Sequence, residues 1–176
     1  MSTLGGGPHL RVLVAGVGNV FFGDDGFGPE VARALLAQDP VDGVKVEDFG
    51  IRGLHLAYEL LNDYERAIII DAVPRGDVPG TLYVIEPDTT VVPSTPDAHT
   101  MDLGNVFAFL RTLGGEPPPI TIVGCEPENI DPGIGLSPAV TRSVEGAAAL
   151  VRRLLDQHHL AAHAREATGG STWSKQ

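Results

Sequence analysis

The residues of this chain best suited to chemistry are acids and a histidine placed at the ends of apolar runs. Asp24 and Asp25 lie in the loop GVGNVFFGDDGFGPE, which follows the run LRVLVA at residues 10–15, and Asp71 closes the run Ile68, Ile69, Ile70. Asp and Gly in a loop ordinarily make turns and caps, which is the plain reading of Asp-Asp-Gly. Asp71 is harder to dismiss. A carboxylate between the apolar Ile70 and Ala72 is costly to desolvate without a cation or hydrogen-bond donors. His99 sits in an irregular segment, and the twelve residues before it, 87–98, can span about 40 Å when extended, enough to return an imidazole to the acids from the far end of a sheet. Two carboxylates and an imidazole form a donor set suited to a divalent transition metal, with no one metal singled out.

The other reactive side chains make weaker cases. Cys125 follows an apolar run with no identifiable histidine beside it to act as base, so it reads as a small buried hydrophobe. Ser137 precedes Pro138 and an amphipathic stretch, the place of a helix cap, and no Gly-x-Ser-x-Gly elbow exists. His55 reads as a helix surface or packing residue, and His158, His159 and His163 as solvated. Gly16 and Gly18, with Asp48 ending the second strand, begin a dinucleotide fingerprint. The third glycine is replaced by Phe21, and Asp24 and Asp25 occupy the loop where a pyrophosphate needs backbone N–H groups, so that reading fails.

Elements that position the acids follow from periodicity. Residues 10–15 read as a strand buried on both faces, and Gly28-Pro29 opens a helix with Val31, Ala34 and Leu35 inward. Residues 44–49 alternate as a second strand, followed by a helix with Leu54, Ala57, Tyr58 and Leu61 on one face. Residues 66–73 form the central strand. The link PRGDVPG is too short for a crossover helix, so residues 81–86 return antiparallel to the third strand. A helix over about 102–113 (Leu103, Val106, Phe107, Leu110 inward), a last strand at 120–124 and a long helix from Pro138 complete the order. That last helix buries Val140, Val144, Ala147, Ala148, Val151 and Leu155. The pattern predicts a three-layer αβα fold with a twisted, mostly parallel five-stranded sheet and one antiparallel strand. The order 2-1-3 would bring the ends of the first and third strands together, placing Asp25 and Asp71 on one solvent-facing rim. Periodicity predicts a flexible N-terminus over 1–9, a single domain over 10–158 and a disordered tail over 159–176.

Composition narrows the partners. The 176 residues carry 12 Lys plus Arg against 23 Asp plus Glu, a formal charge of −11, which repels nucleic acid and anionic lipid. One cysteine excludes an internal disulfide, and neither a signal peptide nor a membrane-spanning run is visible. The expectation is a cytoplasmic protein that binds neither nucleic acid nor membrane.

The ordered set of Gly16, Gly18, Asn19 and Asp25, then GIRGLHLAYELL, IIIDAV, PGT, DAHTMDL and GCEPENIDPGIGLSPAV, resembles the hydrogenase maturation protease family, which trims the C-terminal extension of a [NiFe] hydrogenase large subunit after nickel insertion. The resemblance spans about residues 10 to 155. It implies an aspartic-type endopeptidase, a monomer whose partner is the large-subunit precursor. Nickel is then carried mainly by the substrate, no organic cofactor is needed, and Asp25, Asp71 and His99 are both metal-engaging and catalytic. Some relatives have Glu where this chain has Asp25. Two alternatives stand beside this reading: a non-catalytic nickel-binding maturation chaperone and a nucleotide-binding α/β domain.

Overall fold

The computed structural model describes residues 11–90 and 103–169. Strand β1 (Val12–Val17) is buried along its whole length and lies between β2 (Val44–Gly50) and the central strand β3 (Arg66–Ala72), both parallel to it. Strand β5 (Ile120–Cys125) pairs parallel with β3, and β4 (Leu82–Ile85) lies antiparallel at the edge, giving the order β2-β1-β3-β5-β4. This is the five-stranded mixed sheet expected. The short link after β3 reverses the chain as expected, and β4 takes its place at the edge by pairing with β5. The reason lies in side chains: ITIVGC is almost wholly buried and needs a neighbour on each side, whereas LYVI is only partly buried and suits an edge.

Helices α1 (Phe27–Leu36) and α4 (Pro138–Gly169) cover one face of the sheet over a core that includes Val14, Ile68, Ile70, Val140 and Val151. Helices α2 (Gly53–Glu59) and α3 (Leu103–Thr112) cover the other face over Leu13, Ile69, Phe49 and Leu110. A Cβ at Gly28 would lie 2.1 Å from the Val17 carbonyl oxygen and 2.2 Å from that of Ile70, so a glycine is what lets the start of α1 press against the ends of β1 and β3.

Two sequence expectations change. In α2 the buried residues are Leu56 and Ala57, joined by Leu60 just past its end, while Leu54, Tyr58 and Leu61 of the expected inner stripe are exposed and only its Ala57 is buried. The helix carries apolar residues on two faces, and spacing alone cannot choose between them. The last helix also passes the point where its buried periodicity stops and runs to Gly169, so residues 159–169 are not a disordered tail. The segment AAHAREAT is rich in strong helix formers, which extend an established helix without a buried face. Among the described residues no helix is long and apolar enough to cross a membrane.

Candidate active site at the carboxyl ends of β1 and β3

Beyond β1 the chain makes a turn that only glycine permits. Gly18 has φ +132°, and a Cβ there would lie 1.9 Å from the Asp25 carbonyl oxygen. The loop therefore folds back on itself, and a 3-10 turn (Gly23–Gly26) carries both acids inward. The Asn19 N–H donates to Asp25 Oδ2 at 2.8 Å. The two glycines that begin a nucleotide fingerprint thus serve close packing, and the Asn19 N–H that a phosphate would seek already has a carboxylate.

Asp71 follows Ile70, which pairs with Gly16 across the β1–β3 ladder. Both Asp25 and Asp71 are buried, so the rim expected to face solvent is recessed. Burial pushes the Asp71 carboxyl well above its ordinary range, the nearby Asp25 charge pushes it further, and a hydrogen bond with the Ala72 backbone opposes them. The structure brings these two predicted residues together. His99 lies outside the described residues, and among those described no group of three metal-ligating side chains forms.

The remaining candidates separate clearly. Cys125 is fully buried, and burial first, then the charge of Asp24, pushes its thiol up to about 11, which suits packing rather than nucleophilic attack. Ser137 Oγ accepts from the Val140 N–H at 3.3 Å, a helix N-cap. Of the histidines read as solvated, His158 and His159 are half-buried, and His159 Nδ1 lies 3.0 Å from the Leu155 carbonyl oxygen.

Sequence reasoning missed two structural carboxylates. Asp24 is completely buried and accepts from three backbone N–H groups: Glu128 at 2.8 Å, Asn129 at 3.0 Å and Ser137 at 2.6 Å. Its partners lie more than 100 residues away, so nothing local announces them. Glu126, also buried, accepts from the Arg75 N–H (2.7 Å), the Gly76 N–H (3.0 Å) and the Tyr83 hydroxyl (2.7 Å), which hold its pKa low. An acid directly after a buried strand is the same signal that marks Asp71. Its effect is to fasten the loop beyond Asp71 to β4.

Known proteins fit this geometry. A sequence model of the family described as hydrogenase maturation protease, HycI, matches residues 29–154. The hydrogenase 2 maturation protease of Escherichia coli strain K12 is 33% identical over 162 residues, covering 90% of this chain and 98% of that protein. The hydrogenase expression/formation protein HupD of Rhizobium leguminosarum bv. viciae is 34% identical over 151 residues, covering 82% and 73%. Among solved structures, the hydrogenase maturating endopeptidase HybD from E. coli superposes with a TM-score of 0.74 at 30% identity, covering 84% of this chain and 93% of that one. With more than half its length matched by the family model and full-length relatives above 30% identity, this chain belongs to the hydrogenase maturation proteases and is an endopeptidase of hydrogenase maturation.

Proposed function

We propose that this protease removes the C-terminal extension of a [NiFe] hydrogenase large-subunit precursor after nickel insertion, and that Asp25, Asp71 and His99 engage the nickel which the substrate carries. The observation that carries the reading is the recessed pair Asp25 and Asp71, whose burial and, secondarily, mutual repulsion leave Asp71 reluctant to ionise. A divalent cation brought by a substrate relieves both penalties, and oxygen donors with an imidazole suit nickel. The metal then acts chiefly as an anchor that registers completed insertion. A carboxylate oxygen not committed to it takes the proton from the attacking water. Nickel acting as a Lewis acid on the scissile carbonyl is the other route open to the same residues.

Incubation of the protein with nickel-loaded precursor, followed by mass spectrometry, tests the reading. Release of a C-terminal peptide supports it. Stable binding without release supports the nickel-binding chaperone instead. Loss of processing in His99→Ala, with the fold retained, is expected if the imidazole completes the site.

A further inference from the structure

Large apolar side chains stand out around the buried acids on backbone that is firmly held. Phe21 is 63% exposed on the β1 loop and Ile134 85% exposed on the segment before α4. The Gly133 N–H donates to the Phe21 carbonyl and the Gly23 N–H to the Gly133 carbonyl, both at 2.9 Å, and Asp24 fastens the same two segments from beneath. Beside the same loop the Gly18 N–H donates to the Gly50 carbonyl at 3.0 Å, and Ile51 (68% exposed) and Leu54 (59% exposed) follow that contact in the chain as the candidate second wall. The fold has no use for these four side chains, since none contributes to either core. An apolar patch rimmed by polar groups marks a protein contact. Exposed Glu128 and Asp131 fringe this one, and the whole chain is strongly acidic.

We infer that Phe21, Ile134, Ile51 and Leu54 form the dock for the folded body of the precursor, taking an apolar patch fringed by lysine or arginine. The inference rests on the function proposed above. Three features choose this occupant. The patch shares the β1 loop with Asp25, so a protein seated on it presents its neighbouring chain to the acids. The acidic fringe complements a basic one. The walls are held in advance, so they lose little freedom when a rigid surface meets them, whereas a flexible peptide must be ordered residue by residue.

The test uses the full-length protein with purified nickel-loaded precursor. In the double variant Phe21→Ser/Ile134→Ser, KM for processing and the Kd from biolayer interferometry are both expected to rise about tenfold, with kcat at saturation nearly unchanged. Leu160→Ser, which removes an exposed apolar side chain on α4, is expected to change neither. Ile51→Ser/Leu54→Ser on the second wall repeats the test if the first variant melts early. Unchanged KM and Kd in folded variants overturn the dock while leaving the peptidase reading intact. Binding weakened by the variants, together with no release of peptide by the wild type, keeps the dock and removes the peptidase reading. Absence of both binding and cleavage removes both. A synthetic peptide of the extension that competes with precursor for the wild type, but not for the variants, overturns the choice of the folded body.

Discussion

Asp71 couples the chemistry of the site to the stability of the protein. In the unfolded chain its carboxyl ionises near pH ~4, while in the native protein burial, with the smaller effect of Asp25, holds the proton to higher pH. Between those values the native state binds a proton that the unfolded state releases. The stabilisation from this group is complete below the unfolded pKa and is lost as pH rises through the native one. Asp71→Asn has no charge to desolvate. It is therefore expected to resist urea better than the wild type at pH 8, to lose that advantage toward pH ~4, and to lose processing by at least ~100-fold. Urea titrations at both pH values check the stability claim, and an Asn variant weaker than wild type at pH 8 would show that the aspartate is stabilised by contacts rather than strained by burial. Cys125 gives the opposite expectation. With its thiol pushed up to about 11, only about one molecule in a thousand carries a thiolate at pH 8. Cys125→Ala is expected to keep processing within about twofold of wild type, with a modest loss of stability from the small cavity. A covalent adduct at Cys125 that tracks loss of activity would contradict the carboxylate mechanism.

Elements hold these residues in place through contacts of very different sequence range. The 3-10 turn that carries Asp24 and Asp25 is tied to the segment before α4 by the three N–H groups converging on Asp24. Asp24→Ala leaves those donors facing an apolar methyl in a buried place. It is expected to cost about 3 kcal/mol in urea denaturation, since several donors lose a charged acceptor at once. A loss under ~1 kcal/mol would mean that water replaces the carboxylate. This long-range tie explains what the sequence could and could not reveal. The all-apolar runs of β1, β3 and β5 and the acid closing β3 are local signals, so the layers, the 2-1-3 order and the meeting of Asp25 with Asp71 were legible. Asp24 looked like an ordinary turn residue because its partners are brought near only by the completed sheet. The direction of β4 was legible because the brevity of a link sets it, whereas its neighbour β5 is decided by which strand must be buried on both edges. The stripe on α2 was turned outward because Leu56, Ala57 and Leu60 form a second stripe of similar apolar strength. Residues 159–169 stayed helical because alanine-rich sequence extends a helix without needing a core. His99 lies outside the described residues.

At the scale of the whole molecule, the question is what restrains a protease whose acids stand beside an apolar, acid-fringed rim. A net charge of −11 disfavours acidic partners but does not select among basic or neutral ones. Apolar docking alone would also admit other folded proteins that carry a matching apolar patch. Specificity therefore has to come from the reacting centre. On the proposed function, two carboxylates and an imidazole would supply three donors and leave a nickel ion short of a full shell, so the remaining ligands would come from the substrate. Such an ion would be held weakly by the protease alone and firmly only when both proteins contribute. On the same proposal, burial and the Asp25 charge favour the protonated form of Asp71, which a seating metal would have to displace, so engagement is expected to weaken as pH falls. The protease is accordingly expected to leave nickel-free precursor and unrelated unfolded proteins intact and to cut precursor that already carries nickel. Mass spectrometry of parallel incubations with loaded and metal-free precursor, the latter with a strong chelator, measures this directly. Cleavage of the metal-free precursor at a rate within about tenfold of the loaded one would contradict the bridging metal, because removing ligands that act only in the assembled complex should cost more than that. It would point instead to recognition by the apolar rim and the peptide sequence alone.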